Sequence, residues 1–140
     1  MTEKSILLVE DNPDHAILTR RALKQGNVAN PVELAEDGQQ ALDRLFDTTK
    51  ALPMLILLDL KLPNVDGLEV LKRLRANTRT HRIPVVILTT SDDERDRSAG
   101  YDLGCNSYIR KPVDFDQFAE AVRQLGLYWL VLNEPPPLPA

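Results

Sequence analysis

A chain of 140 residues with 43% apolar and 27% charged side chains has the make-up of one soluble globular domain, large enough to bury a core without disulfides or structural metal. Its formal charge of −4 argues against a general nucleic-acid binder, and the lone Cys105 excludes an internal disulfide and fits a reducing compartment. Met1-Thr2-Glu3-Lys4 carries no signal-peptide pattern, and the longest apolar run, Leu127 to Leu132, is too short to cross a bilayer, so a cytoplasmic protein is expected.

Ile6-Leu-Leu-Val9 predicts a first buried strand, ending in Glu10-Asp11. Asn12-Pro13 supplies an N-cap and a first-turn proline for a helix with Ile17, Leu18, Ala22 and Leu23 on one face. Val32-Glu-Leu-Ala35 predicts a second strand, and Leu55-Ile-Leu-Leu58 a third that ends in Asp59. Asp66-Gly67 opens a helix marked by Leu68, Leu71 and Leu74. The basic stretch from Arg73 to Arg82 reads as a solvated helix end and loop, since no aromatic side chain is interleaved to stack on bases. Val85-Val-Ile-Leu88 predicts a fourth strand ending in Thr89-Thr90-Ser91, and Ser91-Asp-Asp-Glu94 reads as a capping box. Tyr108-Ile109 predicts a fifth strand, followed by Arg110-Lys111-Pro112. Asp114 is the expected N-cap of a last, extended helix in which Phe118, Val122, Leu125, Trp129 and Leu132 are spaced four, three, four, three, a heptad-like seam. One domain is thus expected over residues 1–133, with a Pro-rich extended or disordered tail over 134–140.

Unbroken apolar strands alternating with helices specify an α/β fold with a parallel sheet and right-handed crossovers. In such a sheet, sites form outside the carboxyl ends of the strands. Glu10, Asp11, Asp59, Thr89 and Lys111 should therefore converge on one edge. Adjacent carboxylates repel, so a proton or a cation must neutralise them. Hard oxygen donors of this kind suit Mg²⁺. Lys111 and Thr89 offer donors to a phosphoryl group, whose transfer is mostly positioning and charge neutralisation. Asp59, alone at the end of a wholly apolar strand, is the best-placed nucleophile, and Glu10-Asp11 read as metal holders. Each residue alone has a duller reading as a turn cap or a solvated charge. Their joint placement at strand ends outweighs it.

At these positions the sequence resembles the receiver domain of two-component response regulators, over about residues 4 to 126. The matching stretches are Ile6-Leu-Leu-Val-Glu-Asp-Asn-Pro13, Leu57-Leu-Asp-Leu-Lys-Leu-Pro-Asn-Val-Asp-Gly67, Pro84-Val-Val-Ile-Leu-Thr-Thr90 and Gly104-Cys-Asn-Ser-Tyr-Ile-Arg-Lys-Pro112. The resemblance implies a flavodoxin-like, doubly wound (βα)5 fold with a five-stranded sheet in the order 2-1-3-4-5. It implies phosphorylation of Asp59 by a sensor histidine kinase, with Mg²⁺ held by Glu10, Asp11, Asp59 and the main-chain carbonyl of Lys61. Thr89 and Lys111 take the places of the switch hydroxyl and the phosphate-binding lysine, Tyr108 that of the aromatic switch, and Lys111-Pro112 that of a cis peptide. The face around the fourth and fifth helices would then repack as a population shift.

The positions that tune phosphate lifetime in that family are here Lys61 and Ser91, neither of which orients an attacking water as a carboxylate would. Slow self-dephosphorylation is expected, and no turnover as an enzyme. The apolar ending exceeds what one sheet can cover, which predicts a homodimer through the last helix and the tail. That ending also resembles regulators paired with bacterial phytochrome histidine kinases, and no output domain is expected. The competing readings are an aspartyl-phosphate phosphohydrolase, disfavoured by Lys61 where such enzymes carry a second Asp, and a phosphorylation-independent interaction module, disfavoured by the presence of Asp59, Thr89 and Lys111. A nucleotide or flavin site lacks any glycine-rich phosphate motif.

Overall fold

The computed structural model describes residues 4–132. The expected tail at 134–140, the domain limit at 133 and the side chain of Trp129 lie outside the described residues. Strands β1 (Ile6–Val9), β2 (Val32–Ala35), β3 (Leu55–Leu58), β4 (Val85–Thr89) and β5 (Ser107–Arg110) alternate with helices α1 (Pro13–Gln25), α2 (Gly38–Phe46), α3 (Gly67–Ala76), α4 (Glu94–Asp102) and α5 (Phe115–Gln124), and a short α6 (Tyr128–Val131) follows. All pairings are parallel, in the order β2-β1-β3-β4-β5, as the resemblance implies.

Strand alternation divides the apolar residues between two cores. Leu7, Val9, Ile56, Leu58, Val85 and Ile87 pack with α2 and α3 on one face. Ile6, Leu8, Leu55, Leu57, Val86, Leu88 and Ile109 pack with α1 and α5 on the other. Burial on both faces is why these strands read as continuous apolar runs.

Helices α1 to α5 start on acidic or amide caps: Asn12, Asp37, Asp66, Asp93 and Asp114 each accept a backbone N–H from the first turn. Asp93 caps α4, which corrects the Ser91 capping box. Ser91 instead takes the Asp93 amide on Oγ at 3.2 Å and donates that hydroxyl to Asp96 at 2.7 Å. The buried stripe of α1 is Ala16, Thr19 and Leu23, while Ile17 and Leu18 face solvent. Ala16 and Thr19 are small enough to let the helix lie close on the sheet; of the expected face, Leu23 is buried and Ala22 half-buried. Gly67 opens α3 against the strand before it: a Cβ there would lie 2.1 Å from the Asp59 carbonyl oxygen.

The last helix is not extended. At Gly126, φ is +73°, and the amides of Gly126 and Leu127 donate to the carbonyls of Arg123 and Val122, both at 3.1 Å. This is a Schellman stop with an apolar residue after the glycine. It breaks the seam between Leu125 and Trp129. Beyond it, α6 folds back onto the α1/α5 core, burying Val131 and half-burying Leu127 and Leu132. Asn30 donates to the carbonyls of Leu130 and Lys4, each at 3.1 Å, tying α6 to the amino-terminal end of the sheet. Arg123 lies 5.9 Å over the Tyr128 ring. Tyr128 and Leu130 stay exposed.

The basic stretch from Arg73 to Arg82, which begins in the last turn of α3, is not simply solvated either. Arg75 donates to the carbonyls of Gly104 (2.9 and 2.8 Å), Ile83 (2.7 Å) and His81 (3.1 Å) and to Asn106 Oδ1 (3.1 Å). Arg79 donates to the carbonyls of Leu45 at 2.7 Å and Lys50 at 2.6 Å. These side chains staple loops that lack regular partners. Arg75→Ala is expected to lower the urea-unfolding free energy by about 2–4 kcal/mol, because several acceptors lose a charged donor together. A change below about 0.5 kcal/mol, the scale of an ordinary surface substitution, would show that the staple is idle.

Candidate phosphoryl-acceptor site

Backbone bonding extends the sheet just past its carboxyl edge and fixes the residues there. Glu10 donates its amide to the Ala35 carbonyl at 2.9 Å, Asp59 to that of Val9 at 3.1 Å, and Lys111 to that of Thr89 at 2.8 Å. Four strands thus deliver Glu10, Asp59, Thr89 and Lys111 to one place, as expected. The Lys111-Pro112 peptide is cis.

Glu10, Asp11 and Asp59 each offer a carboxylate oxygen within 4.8 Å of the others. Glu10 and Asp59 are buried and Asp11 is exposed. The Lys111 ammonium, whose side chain is 7% exposed, is paired with Glu10 and lies 3.1 Å from Asp59 Oδ2. Burial raises the Glu10 carboxyl, the Lys111 hydrogen bond opposes it, and the Asp59 charge reinforces it, for a net rise from 4.5 to about 7. A cluster that resists full ionisation in this way suits a divalent cation with oxygen preference. The donor set therefore fits such an ion, with Lys111 as the resident positive charge.

The other expected residues meet at Ser91, in the connection that follows β4, or next to Asp59. Thr89 is fully buried, and its Oγ1 accepts the Ser91 amide at 3.3 Å. Tyr108 is half-buried against the first core and donates its hydroxyl to the Ser91 carbonyl at 3.0 Å; burial pushes its phenol upward. Ser91 thus joins the Thr89 and Tyr108 contacts. Lys61 donates its amide to Asp59 Oδ1 at 3.4 Å, and its ammonium lies 3.8 Å from Asp96.

Sequence reasoning missed two contributors. Asp96, in the first turn of α4, takes the Ser91 hydroxyl and the Lys61 ammonium on the same oxygen. His15, in the first turn of α1, places Nδ1 3.1 Å from Lys111 Nζ. An acidic residue following the cap was visible as Asp14, but nothing in the pattern marked His15 as facing Lys111.

The Glu10 shift carries a pH signature. Between about pH 4.5 and 7 the unfolded chain has released this proton while the folded chain retains it, so folding stability falls as pH rises across the window. Urea unfolding in chelator should show wild type losing stability relative to Glu10→Gln over that range. Parallel curves would contradict the buried, proton-holding carboxyl.

A family model for the response regulator receiver domain matches residues 6–123. The probable methanogenesis regulatory protein FilR2 of Methanothrix harundinacea is 42% identical over 134 residues, covering 94% of this chain and 86% of its own. The solved bacteriophytochrome response regulator AtBRR aligns at TM-score 0.83 and 45% identity, over 96% of this chain and 100% of that one. The Mn²⁺-bound form of response regulator Rcp1 aligns at TM-score 0.76 and 37% identity, over 99% and 100%. The matched span contains every strand and every cluster residue described above, and the chain belongs to the response regulator receiver domain family, the regulators that pair with sensor histidine kinases in two-component signalling.

Proposed function

We propose that this chain is a signalling switch that accepts a phosphoryl group on Asp59 from a phospho-histidine of a sensor kinase. The observation that carries the reading is Lys111, buried between Asp59 and Glu10 beside a third carboxylate at one sheet edge. An Asp59 carboxylate oxygen attacks phosphorus, an O–P bond forms, the P–N bond to the donor imidazole breaks with its electron pair going to nitrogen, and that nitrogen takes a proton from water. Glu10, Asp11, Asp59 and the Lys61 carbonyl would hold Mg²⁺. The bound ion supplies charge neutralisation for the phosphoryl oxygens. Lys111 supplies the second positive charge and Thr89 a hydroxyl donor.

The route outward runs through Ser91. Drawing Thr89 toward the new phosphoryl group disturbs the Ser91 amide contact, and Ser91 also anchors Tyr108 and Asp96. Helix α4 buries only Gly100 among its residues, so its placement is the easiest to shift. The α4/β5/α5 face is the readout surface. Lys61 and Ser91, both engaged by Asp96, leave no group at those positions to orient a hydrolytic water, which supports slow self-dephosphorylation rather than turnover.

We further read residues 1–133 as the receiver unit and 134–140 as a tail, in a cytoplasmic homodimer. Tyr128 and Leu130, exposed on α6, support contact with a second copy. The likeness to a bacteriophytochrome response regulator supports a light-regulated kinase as the partner.

Incubation of the full chain with Mg²⁺ and acetyl phosphate should add the mass of one phosphoryl group to wild type and none to Asp59→Asn. No gain in wild type, or equal gain in both, would refute the reading. Loss of the added mass over minutes at 25 °C would contradict slow self-dephosphorylation. Sedimentation of wild type should show a dimer that Leu130→Glu weakens at least tenfold, the effect of burying an unpaired charge in an interface.

A further inference from the structure

A lysine ammonium has three N–H donors and no acceptor. At Lys111, two donors face Glu10 and Asp59, and the third faces His15 Nδ1 at 3.1 Å. Because the ammonium only donates, the contact needs Nδ1 to present its lone pair, which is the Nε2–H tautomer; the same Nδ1 lies 3.9 Å from Glu10 Oε1. His15 is held for this contact. It lies in the first turn of α1, its own amide bound to the capping Asn12 Oδ1 at 3.3 Å, with its side chain 35% exposed.

We propose that His15 is a positioning residue for phosphoryl transfer, the acceptor that keeps Lys111 aimed at the site when the carboxylates turn to the cation. The inference rests on the functional reading above and adds a residue to it. Glu10 and Asp59 are both oxygen donors that a hard divalent ion claims. Lys111 then loses partners in a site where an ammonium without acceptors is costly. His15 is the one acceptor of the three that such an ion passes over, since imidazole nitrogen suits softer metals. A carboxylate in its place would add a fourth negative charge and hold Lys111 against release to a phosphoryl group. A neutral ring nitrogen orients the lysine without competing for its charge.

The test uses the full chain with His15→Leu, which removes the acceptor at similar bulk, and His15→Gln, which restores one. Phosphorylation of Asp59 by acetyl phosphate should slow on the order of tenfold in His15→Leu, the loss of one hydrogen bond to a charged group. In His15→Gln it should stay within about threefold of wild type, with Mg²⁺ affinity little changed in either. Ring ¹⁵N shifts, assigned with a His81→Gln variant, should show neutral, Nε2-protonated His15 in chelator, altered by Lys111→Met. Unchanged rates in His15→Leu, equal slowing in both variants, or a proton on Nδ1 would overturn the inference. If wild type itself takes up no phosphoryl group, the functional reading falls and this inference with it. Normal wild-type uptake combined with an indifferent His15→Leu removes the inference alone.

Discussion

Placing carboxylates together at low exposure is unfavourable unless something positive sits among them. Here Lys111, just past the end of β5, does so, pairing with Glu10 just past β1 and approaching Asp59 just past β3. The compensation is incomplete, as the raised Glu10 carboxyl shows. Such a site is poised between occupants. A proton, the lysine or a divalent cation can each satisfy part of its charge, and the proposed addition of phosphoryl oxygens to Asp59 would redistribute all of them.

The fold exists to hold that balance in place. Backbone bonds that continue the parallel ladder fix the first residue beyond β1, β3 and β5 to within hydrogen-bond geometry, and two apolar cores immobilise the strands from both faces. The supports nearest the site are less uniform. Helix α3 is pressed against the Asp59 backbone through Gly67, whereas α4 rests on one buried glycine and on polar contacts through Asp96. Rigidity at the acceptor and looseness at α4 are what a switch requires: the charge change occurs on a fixed frame and is expressed in a movable one.

Most of this frame was legible in the chain. Continuous branched runs specified strands buried on both faces, Asn12-Pro13 and Asp114 marked true helix starts, and the polar residues after each strand marked the edge. Local competition hid the rest. Ser91, Asp92 and Asp93 all have cap-forming side chains, and only the observed bond from the Arg95 amide to Asp93 Oδ1 at 2.8 Å decides for Asp93. Gly126 followed by Leu127 carried a readable stop signal, but the heptad spacing across it was the stronger pattern. Arg75, Arg79 and His15 were illegible for a different reason. Their partners are 6 to 96 residues away, and no periodicity reports which carbonyl or ammonium a side chain will meet after folding.

The central claim is that Lys111 and a divalent cation compete for the same carboxylates. Calorimetric titration of Mg²⁺ into wild type and Lys111→Met tests it directly. Competition predicts binding tighter in the variant by roughly tenfold or more, since a unit positive charge within a few ångströms of the site has been removed. Equal or weaker binding in Lys111→Met would contradict it.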